Sequence, residues 1–244
     1  MPELGLPKTI ILCGGRGTRL RPLTDQMPKP LLPLKGKPIL QYLIESYLAK
    51  GVREFILCTG YQGEQIRAFV SGLGVNAVFS FSDAGEHASI LQRLHEAKGL
   101  MGTRVFVAYG DTLLDVDLPA MHADHVASGA SATIATATVQ SPFGLVQAST
   151  DRWVGTFQEK PKQSYYVGHM LLERSVLENV AEDWLVLPDG AGLVRLFEHL
   201  AARRTLRIFP YTGPAITFNT PRGLVRAERD VVHFFTHPEE SRCS

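Results

Sequence analysis

The chain has 244 residues, 45% of them hydrophobic and 20% charged, and a formal net charge of +1. That length and apolar fraction suffice for a substantial core, while a balance so near neutral excludes a global field that would steer the protein onto nucleic acid or an anionic membrane. No apolar run approaches the roughly 18 residues of a membrane-spanning helix, and the opening MPELGLPKT lacks the basic-then-apolar order of a secretory signal. Cys13, Cys58 and Cys243 show no metal or redox spacing. The first two end apolar runs and read as buried free thiols, which fits a cytoplasmic location.

In chain order, TIILC at 9–13 is a short apolar run suited to a parallel strand buried on both faces. A glycine-rich loop follows. PILQYLIESYLAK at 38–50 opens on proline, carries apolar residues at helical spacing and stops at Gly51. EFILCTG, NAVFSFS and RVFVAYGD predict further strands at 54–60, 76–82 and 104–111, with helices through GEQIRAFVSGL and SILQRLHEAKGL between them. This alternation is the pattern of a doubly wound α/β sheet. The second half reads as strands over 130–139 and 144–150, then over WVGTFQEKP and YYVGHMLLE, a helix beginning near Ser175, a helix through LVRLFEHLAARR, a strand over RIFPYTG, and a closing helix PRGLVRAERDVVHFFTH. No boundary has the polar, Pro/Gly-rich character of a linker, so one mixed, mostly parallel sheet is expected from both halves.

The loop ILCGGRGTRLRPLTDQMPKPLL concentrates unusual chemistry. Gly14, Gly15 and Gly17 are able to adopt positive φ and let backbone N–H groups approach an anion. Arg16, Arg19, Arg21 and Lys29 add four cations, and Pro22, Pro28 and Pro30 stiffen the segment. No Lys-Ser/Thr pair follows, so this is not a Walker loop, and prolines stand where a dinucleotide-binding helix would begin. A solvated surface loop with chance arginines is the plainer alternative.

GGRGTRLRPLT followed by PKPLLPLKGKPIL resembles the signature of the sugar-1-phosphate nucleotidyltransferases, the nucleotide-sugar pyrophosphorylases. The resemblance covers most of the chain. It continues through Gly110-Asp111, Phe143-Gly144, Glu159-Lys160-Pro161 and the turn FNTPR. Within the family the chain is most similar to glucose-1-phosphate cytidylyltransferases, through FILCTGYQGEQI and DAGEHASILQRL. The resemblance implies a Rossmann-like nucleotidyltransferase fold in a single domain over 1–244. Its nucleotide-binding half would lie at about 1–117 and its sugar-phosphate-binding half at about 118–244.

The implied reaction joins a nucleoside triphosphate to a sugar-1-phosphate and releases pyrophosphate, with CTP slightly ahead of GTP, UTP and dTTP and with Mg²⁺ as cofactor. Backbone N–H groups from Gly14, Gly15, Gly17 and Thr18, with Arg19, would hold the nucleotide phosphates. Lys29 would neutralise the reacting phosphates, Asp111 would bind the metal, and Arg93 is a candidate base contact. Gly144, Glu159, Lys160, Gly168 and His169 would form the sugar-phosphate site, with Lys160 also on the acceptor phosphate. For Asp111 the alternative is a plain turn residue, for Glu159-Lys160 a routine surface pair, and for Arg93 a solvated helix residue.

Three departures from the family pattern stand out. The turn before the last helix lacks an expected second metal-binding Asp and offers Thr217 or Asn219, so Asn219 would supply a neutral carbonyl. HASILQR replaces a Gly-Thr-Gly-Gly-like run near the base. Val167-Gly168-His169 replaces an Asn-Gly-Gly-like sugar site, which suggests an acceptor other than glucose-1-phosphate.

A non-catalytic nucleotide-sugar-binding or regulatory protein is the rival reading, motivated by the missing carboxylate. A glycosyltransferase would need an Asp-x-Asp motif, and Asp115 and Asp117 fit its letters, although capping or salt-bridging suits them better. His122 and His125 have the spacing of a metal pair, but without a third ligand nearby a solvated helix face is favoured. The phenylalanines of VVHFFTH suit the core or a homo-oligomer contact.

Overall fold

The computed structural model describes residues 5–188 and 190–234. The principal strands are β1 (Thr9–Leu12), β2 (Glu54–Thr59), β3 (Val78–Asp83), β4 (Arg104–Tyr109), β5 (Thr112–Leu114), β6 (Ala132–Gln140), β7 (Leu145–Ala148), β8 (Val154–Gln158), β9 (Lys162–Glu173), β10 (Leu206–Tyr211) and β11 (Ala215–Thr217). The principal helices are α1 (Ile39–Ala49), α2 (Gly63–Ser71), α3 (Ile90–Ala97), α4 (Leu118–Ser128), α5 (Ala191–Ala202) and α6 (Pro221–Phe234). Each strand and helix expected from the hydrophobic periods is present. The end of the closing helix, with Phe235, lies outside the described residues, as does Cys243. Among the described residues no helix is long and apolar enough to cross a membrane.

Seven strands form one sheet in the order β10-β6-β9-β4-β1-β2-β3. All neighbours pair in parallel except β9, which runs antiparallel to β4 and β6. Helices cover both faces. Ile11 of β1 joins a core with Leu40, Leu43 and Tyr47 of α1, Ile66 of α2 and Val231 of α6. Its neighbour Ile10 faces the other way, among Leu91 and Leu94 of α3 and Leu196 of α5. Burial on both faces is why Ile10, Ile11 and Leu12 run on as consecutive apolar residues of β1 rather than alternating with polar ones.

From β1 the chain winds outward through β2 to β3, then returns to place β4 on the opposite side of β1. The carboxyl ends of β1 and β4 therefore flank a topological switch point, where ligands bind in open α/β sheets. β6 and β9 outrun the sheet at the same edge. Their far ends pair with each other, from Gln140 with Lys162 to Ala137 with Tyr165, and carry the β7–β8 hairpin as an exposed arm.

Gly168 and His169 lie where β9 re-enters the sheet. Its register shifts between Tyr166 and Met170, and Gly168 has φ +86° against the Tyr109 ring. His169 departs from its expected place at a sugar site. It is 1% exposed, its ring packs on Tyr47 at 6.0 Å, and neither ring nitrogen has a side-chain hydrogen-bond partner among the described residues. The alternation of YYVGHMLLE already puts it on the face of Val167 and Leu171, both in the α1-side core. The suggestion of an unusual acceptor, in so far as it rested on this imidazole, loses its basis.

The two histidines of α4 also depart from a solvated face. His125 is buried, with Nδ1 at 2.8 Å from the Thr133 hydroxyl and Nε2 at 3.1 Å from Glu173, which also accepts from Arg104. His122 reaches Arg104 at 3.4 Å and meets the edge of Phe106. Asp117 caps α4 through the Ala120 N–H and Asp115 pairs with Lys50, so the Asp-x-Asp letters serve the fold. Cys13 and Cys58 are buried thiols, and burial raises the pKa of both.

Burial first, and the Lys50 charge second, push the His169 pKa from 6.5 down to about 3. The unfolded chain thus binds the extra proton between these values, so the stabilisation is present above pH 6.5 and is lost as pH falls toward 3. Replacing His169→Phe should remove about 2–3 kcal/mol of the stability lost between pH 7 and pH 4.5, read from urea unfolding at both values. An unchanged acid dependence would contradict this placement.

Candidate active site

A cavity of about 690 Å³ opens at the switch point, within the usual size of small-ligand sites. Its walls include the glycine loop, Lys29, Asp111 and Asn219, and on another side Glu86 and Tyr109.

The glycine loop leaves β1 at Cys13, whose N–H still bonds Cys58. The Gly14 carbonyl then accepts from the Tyr61 N–H and from Arg93, both at 3.1 Å, and the Gly17 carbonyl accepts from the Thr24 hydroxyl at 3.0 Å. Pulling these carbonyls inward leaves the N–H groups of Gly15, Arg16 and Gly17 without an acceptor among the described residues. Such a run of free donors is an anion nest. Of the three glycines, Gly17 alone has positive φ, +60°. Gly14 is needed for space, since a Cβ there would lie 2.1 Å from the Arg93 guanidinium. Thr18 and Arg19 follow in a single 3₁₀ turn and are exposed.

Arg93 differs from a solvated residue and from a free base reader. It shares the buried stripe of α3 with Leu94 and Ala97, is 5% exposed, and donates to the carbonyls of Thr59 (2.5 Å), Gly14 (3.1 Å) and Glu86 (3.3 Å). It braces the cavity wall by tying together the loops after β1, after β2 and before α3. Helical spacing from Ala97, four residues on, was the available signal.

Lys29, between Pro28 and Pro30, is 7% exposed. Its ammonium donates to Asp111 Oδ2 at 2.5 Å and to Asn219 Oδ1 at 2.9 Å, and lies 5.3 Å from the Phe218 ring centre. Asp111 follows β4 directly. Asn219 arrives from far along the chain because β11 pairs antiparallel with β5, Thr217 opposite Thr112, which sets the turn before α6 beside Asp111. Arg19 also donates to Asn219 Oδ1, at 3.2 Å. The structure thus brings together Arg19, Lys29, Asp111 and Asn219, spread over 200 residues.

Arg16 and Glu86 form a pair that the sequence did not suggest. The guanidinium meets the carboxylate at 2.6 Å and lies over the Tyr61 ring at 5.4 Å. The Arg16 hydrogen bond, with His87 also close, lowers the Glu86 pKa. Seventy residues separate the partners, and no local pattern joins them.

Gly144, Glu159 and Lys160 sit on the arm and do not line the cavity. The three are neighbours: a Cβ at Gly144 would lie 3.5 Å from the Glu159 carboxylate, and Lys160 is 3.9 Å from Glu159.

Among the described residues no group of three or more His, Cys, Asp or Glu is poised to hold a metal. Asp111 with the Asn219 carbonyl nevertheless suits Mg²⁺ in the mode that needs one or two carboxylates and takes its other ligands from phosphates and water.

The sequence profile described as "Nucleotidyl transferase" matches residues 8–187. The chain belongs to this family, the sugar-1-phosphate nucleotidyltransferases. It is 32% identical to a Bacillus subtilis protein named "Probable glucose-1-phosphate cytidylyltransferase", over 91% of this chain and 95% of that one. It is 29% identical to the mannose-1-phosphate guanylyltransferase of Mycobacterium tuberculosis, over 91% of this chain and 64% of that one. In fold it is similar to a UDP-glucose pyrophosphorylase complexed with UDP-glucose, at a TM-score of 0.71 and 17% identity, covering 93% of this chain and 98% of that one.

Replacing Arg93→Met would leave three carbonyls without their shared donor. It should cost about 2–4 kcal/mol in urea unfolding. A loss under about 0.5 kcal/mol would show that the brace is dispensable.

Proposed function

We propose that the chain transfers a nucleotidyl group from a nucleoside triphosphate to a sugar-1-phosphate and releases pyrophosphate. Family membership supports the reaction class. The observation that carries the reading is the convergence, in one cavity at the switch point, of a nest of free N–H groups with Arg19, Lys29 and Asp111. CTP is our preferred nucleotide, with GTP, UTP and dTTP as alternatives, since relatives are named for cytidylyl, uridylyl and guanylyl transfer.

In this mechanism an oxygen of the sugar phosphate attacks the α-phosphorus of the triphosphate. The new P–O bond forms as the bond to the β-phosphate oxygen breaks, and pyrophosphate departs with that electron pair. Catalysis of this kind is mainly positioning and charge neutralisation. The N–H groups of Gly15, Arg16 and Gly17, with Thr18 and Arg19, hold the β- and γ-phosphates. Lys29 lies low on phosphate charge because its nearly buried stem restricts where the ammonium reaches. Asp111 and the Asn219 carbonyl would hold Mg²⁺. When bound, the cation would neutralise phosphate charge and polarise the α-phosphoryl group.

Arg93 keeps the loop carbonyls turned away from the triphosphate. Glu159 would accept hydrogen bonds from sugar hydroxyls, and Lys160 would hold the acceptor phosphate. Both stand on the arm that leaves the same sheet edge, so the acceptor would approach from that side. Gly144 gives the Phe157 ring room, since a Cβ there would lie 2.6 Å from it.

Pyrophosphate release should appear for at least one pair in a matrix of CTP, GTP, UTP and dTTP against sugar-1-phosphates with Mg²⁺ or Mn²⁺. Nucleotide binding without turnover by any pair would favour a regulatory protein on this scaffold. In the active pair, Asp111→Asn should lower kcat by at least about 100-fold while the far-UV circular dichroism remains that of the wild type. Lys160→Ala should raise KM for the sugar phosphate about tenfold and leave KM for the triphosphate alone. If KM for the triphosphate alone changed, the role given to Lys160 would be wrong.

A further inference from the structure

The two oxygens placed to serve a cation at this site, Asp111 Oδ2 and Asn219 Oδ1, both accept from cationic side chains of this chain. Asp111 Oδ2 takes the Lys29 ammonium at 2.5 Å, while Oδ1 shares the one Thr112 hydroxyl proton, at 3.2 Å, with the Thr217 hydroxyl at 3.3 Å. The one amide oxygen of Asn219 takes both Lys29 at 2.9 Å and Arg19 at 3.2 Å, so both its lone pairs are engaged. Lys29 is no sweeping surface lysine, because its side chain is 9% exposed and ends between these two oxygens. The local charge is two cations against one carboxylate. Such a cluster repels a free dication and attracts a polyphosphate.

We propose that the Lys29 ammonium holds the place of the divalent cation until nucleotide arrives, so that metal enters this site only together with the triphosphate. The inference rests on the nucleotidyltransferase reading and deepens it. Asn219 enforces the order. A neutral amide is a weak ligand for a hard cation, and among the described residues it leaves Asp111 as the negative group paired with Lys29. When the triphosphate binds, Arg19 and Lys29 exchange the amide and the carboxylate for phosphate oxygens. Asp111 Oδ2 is then released, and the phosphates supply the ligands that the protein lacks. No covalent bond changes in this exchange. A carboxylate at position 219 would remove the net positive charge and let metal bind first.

The test uses the full chain and Mn²⁺, whose free hydrated ion is counted by its EPR signal. Without nucleotide, wild type should bind Mn²⁺ no more tightly than the millimolar range, as expected for a site with a single carboxylate. The Asn219→Asp variant should bind it at least tenfold more tightly. Calorimetry with α,β-methylene triphosphates of the four bases should show Mn²⁺ tightening the nucleotide at least tenfold on wild type. By linkage, the nucleotide tightens the metal by the same factor. That coupling should shrink in the variant, whose thermal unfolding midpoint checks its folding. Micromolar Mn²⁺ binding to nucleotide-free wild type would overturn the proposal. So would triphosphate binding that ignores Mn²⁺, or a folded variant with no gain in metal affinity. If no triphosphate binds with or without metal, the nucleotidyltransferase reading itself falls.

Discussion

The double burial of β1 is the constraint on which the rest depends. A strand that is apolar on both sides must sit in the middle of the sheet with helices on either face. The chain can then extend the sheet one way, to β3, before it returns to place β4 on the free side. That return creates the switch point. The glycine loop and Asp111 become neighbours because each follows one of the two central strands, although nearly a hundred residues of chain lie between them.

A second layer of constraint turns this crevice into an anion site. Backbone in a tight loop can present either carbonyls or N–H groups to a ligand. Arg93, Tyr61 and Thr24 decide the matter by capturing carbonyls from behind. A buried guanidinium used on three carbonyls is costly to desolvate and is sustained by those bonds. Its lowered pKa, caused first by burial, reports the same cost. Gly14 is part of this device, because the guanidinium occupies the space of its missing side chain.

The metal-side cluster shows how one amide changes the electrostatics of a site. With Asn at position 219, two cations share one carboxylate. The surplus charge suits a triphosphate and disfavours a bare dication. The arm is governed differently. Its strands leave the sheet, their side chains are mostly exposed, and Glu159 and Lys160 are held by little beyond each other and the hairpin. An acceptor site there would be organised by its ligand more than by packing.

The sequence by itself determined the alternation of strands and helices, because burial on a strand and burial on a helix impose different periods that a single chain displays. It also marked the glycine loop and Asp111, since tight anion loops and strand ends use few residue types. His169 and Arg93 were legible too, through Val167 and Leu171 at spacing two and Ala97 at spacing four, although a motif suggested other roles. The tertiary structure alone decided that Asn219 meets Lys29 and Arg19, and that Arg16 meets Glu86. These contacts join segments far apart in the chain, through the β5–β11 ribbon in one case and across the cavity wall in the other. Local pattern carries no information about such pairings, because they follow from how finished elements are stacked and not from the preferences of any one of them.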